Sequence, residues 1–266
     1  MAAPASPPAS PASSALAARV DPGLVDVTAT LGYQQAISSG TGMVLTPSGR
    51  VITNNHVIEG ATSITVTDVG NHRTYTAAVV GYDQGQDIAV LQLAAASGLT
   101  TVPLSTASAV TVGEKVLALG NAQGQGGTPA AATGTITALS QSITATDQAA
   151  GISEQLTGLF QTDVPLQPGD SGGPLVSPAG QVIGMNTAAS SQFQISSGTA
   201  QAFAIPASQA APIAAVIAAG RASAGVRIGA TAFLAVQVVS YGVPVPGNRD
   251  RLLYPERISV TVTGAG

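Results

Sequence analysis

Gln167-Pro-Gly-Asp-Ser-Gly-Gly-Pro-Leu175 is the stretch on which the reading of this chain turns. A serine hydroxyl is a weak nucleophile at neutral pH, so Ser171 has chemical meaning only if a base, and an acid to orient that base, lie elsewhere in the sequence. Both stand upstream: His56 in Thr53-Asn-Asn-His-Val-Ile58 and Asp87 in Gln86-Asp-Ile-Ala-Val-Leu91. Gly169 lets a turn through Asp170 to Ser171 aim the backbone N–H groups of Gly169 and Ser171 at one point, where a developing oxyanion is stabilised. Gly172 and Gly173 leave room for a carbonyl group beside it. Taken alone, Pro-Gly-Asp-Ser-Gly-Gly is also an ordinary surface turn. Its coincidence with His56 and Asp87 argues for chemistry.

Chain order removes one rival. Gly169-Asp-Ser-Gly-Gly173 satisfies the Gly-x-Ser-x-Gly pattern of α/β-hydrolases, but those enzymes place their histidine after the serine. The chain has two histidines, His56 and His72, and both precede Ser171. An esterase of that fold would have no base.

These segments resemble the trypsin-like serine endopeptidases, and more narrowly the HtrA-type branch, particularly its secreted or envelope-bound actinobacterial members. The matching stretches are Gly40-Thr-Gly-Met-Val-Leu45, Ile52 to Ile58, Gln86 to Leu91, Gln167 to Leu175 and Phe203-Ala-Ile-Pro206. The resemblance implies an all-β fold of two packed six-stranded antiparallel β-barrels (chymotrypsin-like), with a C-terminal helix and the active site between the barrels. It implies His56, Asp87 and Ser171 as catalytic residues and the N–H groups of Gly169 and Ser171 as the oxyanion hole. In that fold the residue six before the nucleophile lines the primary pocket, which points to Pro165, with Leu166 and Phe203 beside it. A substrate Arg or Lys there would be buried without a counter-charge, which is costly, so cleavage after small or medium apolar residues is expected. Protein or peptide substrates follow, and a secreted or cell-envelope location. The opposing reading is a protease-like binding or scaffold protein whose site is not assembled.

Composition agrees with a turn-rich β protein. Of 266 residues, 45% are hydrophobic and only 8% charged, against about 25% charged in an average globular chain. A net charge of −4 offers no basic footprint for nucleic acid. Without cysteine there is no disulfide or thiol chemistry, and two histidines alone make a poor zinc site, so neither metal nor cofactor is expected. No apolar run is long enough to span a bilayer.

Three segments follow from the pattern along the chain. Residues 1–21 form a Pro/Ala/Ser-rich tract expected to be disordered or extended. Its Ala15-Leu-Ala17 triplet looks like a signal-peptidase site without the apolar stretch such a site needs, as in a start-shifted or truncated exported protein. Residues 22–220 carry short β-prone runs in two sets divided near 100–112, then an Ala-rich helix from a Ser208 cap to a Gly220 stop. In the resembled family that helix packs on the second barrel. Residues 221–266 open with Val226-Arg-Ile-Gly, similar to the start of a PDZ domain, but are too short for one and read as a truncated PDZ-like remnant or divergent tail. His72 falls on a hairpin turn, and Gly120 to Gly127 reads as a flexible loop near the cleft. Asp170 could fix the oxyanion turn through an ion pair, though no partner is evident.

Overall fold

Strands with apolar residues at every second position bury one face, and the first six here close that face inward. The computed structural model describes residues 11–32, 34–106, 109–147, 152–187, 193–195, 202–230, 235–241 and 257–263. Strands β1 (Leu24–Leu31), β2 (Ala36–Val44), β3 (Arg50–Thr53), β4 (Ser63–Asp68), β5 (Thr74–Asp83) and β6 (Ile88–Leu93) pair in the order β5-β4-β1-β2-β3-β6, and a β5–β6 pairing closes the ring. Val25, Val27 and Ala29 of β1, Ile64 and Val66 of β4, and Ala89, Leu91 and Leu93 of β6 fill it.

The second barrel repeats the plan. Strands β7 (Lys115–Gly120), β8 (Ala130–Asp147), β9 (Ile152–Thr162), β10 (Pro174–Val176), β11 (Val182–Thr187), β12 (Phe193–Ile195) and β13 (Ala202–Pro206) pair as β12-β8-β7-β10-β11-β13-β9, closed by β8–β9. Val116, Ala118, Ile136, Val164, Leu175, Ile183 and Ala204 form its interior. A third apolar layer lies between the barrels: Leu24, Ile52, Ile88 and Val90 from the first meet Leu117, Leu119, Met185 and Ile205 from the second. This explains why β6 reads Ile-Ala-Val-Leu without a polar break. One face fills its own barrel and the other packs on the neighbour.

Helix α2 (Asn55–Ile58) is a single turn after β3, and α3 (Ala207–Ala218) follows β13 directly. Its buried residues Ala207, Ala210, Ala214 and Ile217 recur at helical spacing. Gly220, at φ +67°, ends it: the Gly220 N–H donates to the Ile217 carbonyl and the Arg221 N–H to that of Val216, the Schellman arrangement. One expectation for this helix is corrected and another extended. The N-cap is Pro206 rather than Ser208, because β13 runs straight into the helix without a capping side chain. It also packs against β5 and β6 of the first barrel as well as β11, since its apolar stripe faces the junction.

The expectation of a disordered N-terminal tract is corrected over its second half. Helix α1 (Pro11–Val20) forms there, with Ala17 and Val20 buried and Leu16 packed on the layer between the barrels. Alanine favours helix, and the spacing of Leu16, Ala17 and Val20 makes a narrow apolar stripe that composition alone conceals. The Ala15-Leu-Ala17 triplet therefore lies within a helix; residues 1–10 lie outside the described residues.

Val226-Arg-Ile228 also differs from its reading as the opening of a separate segment. It forms strand β14 (Val226–Ile228), pairing with Asp83, Tyr82 and Gly81 of β5, with Val226 buried. The compact unit extends to Ala230. Beyond it, β15 (Ala235–Tyr241) and β16 (Arg257–Thr263) pair antiparallel with each other, as a unit of their own. No helix among the described residues is long and apolar enough to cross a membrane.

Candidate active site

His56 and Asp87 are placed by the ends of adjacent strands. β3 ends at Thr53 and passes into α2, which carries His56; β6 begins at Ile88, immediately after Asp87. The Asn54 side-chain amide donates to the Asp87 carbonyl at 3.0 Å, fastening the two ends together. Asp87 adopts φ +53°, a left-handed conformation that Asp tolerates better than most residues. Its carboxylate is 1% exposed and is engaged on both oxygens. Oδ1 accepts from the His56 backbone N–H at 3.0 Å, and Oδ2 lies 2.9 Å from His56 Nδ1.

That contact decides the tautomer. A carboxylate can only accept, so Nδ1 carries the proton and Nε2 presents its lone pair. Nε2 lies 3.0 Å from Ser171 Oγ. The structure thus brings the three residues, 31 and 84 positions apart in sequence (87 − 56 and 171 − 87), into one hydrogen-bonded line. Ser171 itself is 3% exposed.

Ser171 sits on a turn from the second barrel whose backbone is tied at several points. The Pro168 carbonyl accepts from the Gln123 N–H at 2.6 Å, that of Asp170 from the Gly173 N–H at 3.1 Å, and that of Ser171 from the Thr41 N–H at 2.8 Å. In a trans peptide the N–H points opposite the carbonyl. Holding the Pro168 and Asp170 carbonyls therefore sets the directions of the Gly169 and Ser171 N–H groups, the pair expected to meet an oxyanion. Gly169 has φ +100°, and a Cβ there would run into the carbonyl oxygen of Asn121. Any other residue would displace the turn.

Several supporting residues escape the sequence reading. The Thr187 hydroxyl, at the end of β11, donates to Asp87 Oδ2 at 3.2 Å, so the second barrel also grips the acid. Asn186 accepts from the Gly172 N–H through its carbonyl, and its side-chain amide donates to the Pro174 carbonyl at 3.0 Å. Their only sequence signal is a polar pair, Asn186-Thr187, closing an otherwise apolar strand. The glycine-rich loop is less free than expected: Asn121 Oδ1 accepts from the Gly126 N–H at 2.6 Å, and Asp26 Oδ2 from the Gly127 N–H at 3.2 Å.

Asp170 has no ion-pair partner among the described residues. Oδ2 accepts from the Gln167 N–H at 2.8 Å, while Oδ1 is buried with no hydrogen-bond partner. Burial pushes its carboxyl up to about 6, against the opposing pull of the Gln167 N–H. His72 is exposed on the β4–β5 turn, at φ +58°. Among the described residues no cluster of His, Asp or Glu could hold a metal.

The three expected pocket residues are divided. Pro165 is exposed, Leu166 is half-buried against the second barrel's interior, and Phe203 is buried in the layer between the barrels. Asp163, the nearest preceding carboxylate in sequence, is turned to Thr135, accepting from its N–H at 2.6 Å and its hydroxyl at 3.1 Å. A cavity of about 620 Å³ lies elsewhere, between α1 and the second barrel, lined by Leu16, Arg19, Lys115, Thr133 and Val176 among others and by none of the three line-forming residues.

Paired six-stranded rings, one presenting His and Asp and the other Ser, define the chymotrypsin-like fold. The trypsin-like peptidase domain family matches residues 40–185, more than half of the chain, and the chain belongs to that family. It is 37% identical over 225 residues to the serine protease PepD of Mycobacterium tuberculosis, covering 78% of this chain and 47% of that protein. It is 38% identical over 172 residues to a probable periplasmic serine protease of the Do/HhoA type from Haemophilus influenzae, covering 64% and 34%. The chain thus spans between about a third and a half of the length of these relatives. Among solved structures, the active form of the Rv3671c protease from M. tuberculosis superposes with a TM-score of 0.65 at 27% identity, covering 82% of this chain and 90% of that one.

Proposed function

We propose that this chain is a serine endopeptidase in which Ser171 is the nucleophile, His56 the general base and then acid, and Asp87 the group that orients the imidazole. The observation that carries this reading is the line from Asp87 Oδ2 to His56 Nδ1 at 2.9 Å and from Nε2 to Ser171 Oγ at 3.0 Å. Ser171 attacks the peptide carbonyl carbon as Nε2 takes its proton. The N–H groups of Gly169 and Ser171 receive the oxyanion. The imidazolium then protonates the leaving amine, and water repeats the sequence on the acyl-enzyme. Asp87 holds the imidazole in place and stabilises its charged form.

Cleavage after small or medium apolar residues accords with Val164-Pro-Leu166, which brings no charge to the pocket wall, and with the engagement of Asp163 by Thr135. Proteolysis at the cell envelope or outside the cell, in protein quality control or extracellular digestion, accords with the relative named as periplasmic. Labelling of the purified chain with a fluorophosphonate probe, beside Ser171→Ala and His56→Ala, tests the reading. Labelling of the parent alone is expected. A folded parent that does not label would overturn it in favour of a scaffold with an unassembled site. A peptide library that showed preference for Arg or Lys before the scissile bond would overturn the pocket assignment alone.

A further inference from the structure

The Gly40-Thr-Gly42 segment of β2 carries a buried polar side chain that the reaction sequence above does not use. Thr41 is 1% exposed. Its backbone holds the Ser171 carbonyl, and its own carbonyl accepts from the Thr53 hydroxyl at 2.7 Å. Its hydroxyl lies 2.7 Å from the Gly169 carbonyl oxygen and 2.8 Å from the Asn121 nitrogen. The direction of both bonds is fixed by valence. A backbone N–H can only donate, so Oγ1 accepts from Asn121, and its single proton goes to Gly169. Gly40 permits this close approach: a Cβ there would stand 2.7 Å from both methyl groups of Val57 and 3.2 Å from the Ser171 carbonyl oxygen.

Four successive carbonyls of the turn, Pro168 through Ser171, are thereby held, by the Gln123 N–H, the Thr41 hydroxyl, the Gly173 N–H and the Thr41 N–H. Three of these donors are backbone. Only the Gly169 carbonyl depends on a side chain, and Gly169, at φ +100°, is the turn residue whose backbone is least restrained by its own sterics. The peptide plane between Gly169 and Asp170 separates the two N–H groups that must converge. If it rotates, they diverge. The same hydroxyl also receives Asn121, whose loop continues to Gln123 and the Pro168 carbonyl, so one buried oxygen joins both supports of the turn.

We propose that the Thr41 hydroxyl is a positioning group for peptide hydrolysis: by locking the Gly169–Asp170 peptide it keeps the Gly169 and Ser171 N–H groups aimed at the oxyanion. The inference rests on the serine-endopeptidase reading of the site. Because the oxyanion exists only in the transition state and its intermediates, loss of aim lowers kcat more than it raises KM.

Thr41→Val keeps the shape of the side chain and removes its hydroxyl, whereas Thr41→Ser keeps the hydroxyl and removes a methyl group. The full chain and both variants are assayed for kcat and KM on an Ala-Ala-Pro-Ala p-nitroanilide peptide, for fluorophosphonate labelling rate, and for amide exchange across residues 167–173 and 50–58. Thr41→Val is expected to lose about 10- to 100-fold in kcat and labelling rate, less than a donor of the hole itself would cost. KM should move by no more than about threefold, and Thr41→Ser should restore the rate. Exchange should quicken at 167–173 and not at 50–58. If Thr41→Val fails to fold, Thr41→Ala replaces it. Parent-like kcat and labelling in the hydroxyl-free variant would overturn the proposal, as would equal impairment of Thr41→Ser, which would mean that packing of the methyl group is what counts. If the parent shows no Ser171-dependent labelling, the endopeptidase reading fails instead. Amide exchange then still decides the matter, since unchanged exchange at 167–173 in the hydroxyl-free variant would show that Thr41 does not lock the turn.

Discussion

The two walls of the site are built on different principles. On the first barrel, His56 and Asp87 stand at the ends of adjacent strands and are held largely by side-chain bonds among near neighbours, Asn54 to the Asp87 carbonyl and Asp87 to the His56 N–H. On the second, Ser171 stands on a glycine-rich turn whose shape is imposed by donors from β2, from the loop after β7 and from β11. A strand end is stiff because its barrel is stiff. A glycine turn is stiff only while its ties are made, so the second wall should be the more easily disarmed without unfolding the molecule.

Five substitutions sharpen or break that contrast. The largest effect is expected from Ser171→Ala or His56→Ala, each lowering peptide hydrolysis by at least about 10⁴-fold, with the double variant little worse than either. Additive losses would show that the two residues do not act as a unit. Next is Gly169→Ala, whose Cβ would invade the Asn121 carbonyl. A loss of about 10²- to 10³-fold in kcat is expected, with amide exchange of β1 to β6 unchanged. Exchange that rises throughout the first barrel would mean that the two walls do not differ in independence.

Thr187→Val tests the bond by which the second barrel grips Asp87. A hydroxyl hydrogen bond to a buried carboxylate contributes about 1.5–3 kcal/mol to the folded state; only the part that strengthens as the imidazole becomes charged enters the rate, so kcat/KM should fall by less than about 100-fold in steady-state assays. No change would assign the orientation of Asp87 wholly to its own barrel. The smallest effect on catalysis, but a distinct one on stability, is expected from Asp170→Asn. The Asp170 carboxyl titrates near 6 in the folded chain against a reference value of 3.8, so the native state holds the proton more tightly than the unfolded chain. Stability should therefore be fullest below about pH 4, fall as pH rises to about 6, and stay reduced above it. The rise from 3.8 to about 6 corresponds to a deficit on the order of 3 kcal/mol. Thermal melts should find the Asn variant more stable than the parent at pH 7–8 and close to it at pH 4. Parallel pH curves would show that the orphaned Oδ1 is stabilised in some other way.

The residues at the chemical line were legible because each is embedded in a local pattern: an apolar strand before His56, another after Asp87, and glycines around Ser171. Short β-prone runs likewise marked most strands of both barrels. What was not legible is long-range. Thr41 reaches Gly169 across 128 positions and Thr187 reaches Asp87 across 100, and a threonine's own neighbours do not record where its hydroxyl goes. α1 escapes a reading by composition because its stripe is narrow and made partly of alanine, and β14 because a three-residue strand has no period of its own.

β14 has a mechanical consequence for the acid. Its ladder runs from Ile228 opposite Gly81 to Val226 opposite Asp83, with a further bond from the Gly229 N–H to the Val80 carbonyl. Asp83 caps the turn that delivers Asp87, its Oδ1 accepting from the Gln86 N–H at 3.1 Å. Tension applied to the chain beyond residue 230 would unzip this ladder from its far end, Gly229 first and Val226 last. The rupture would begin farthest from Asp83, leaving the Asp83 cap on the turn before Asp87 in place until the last pair opens.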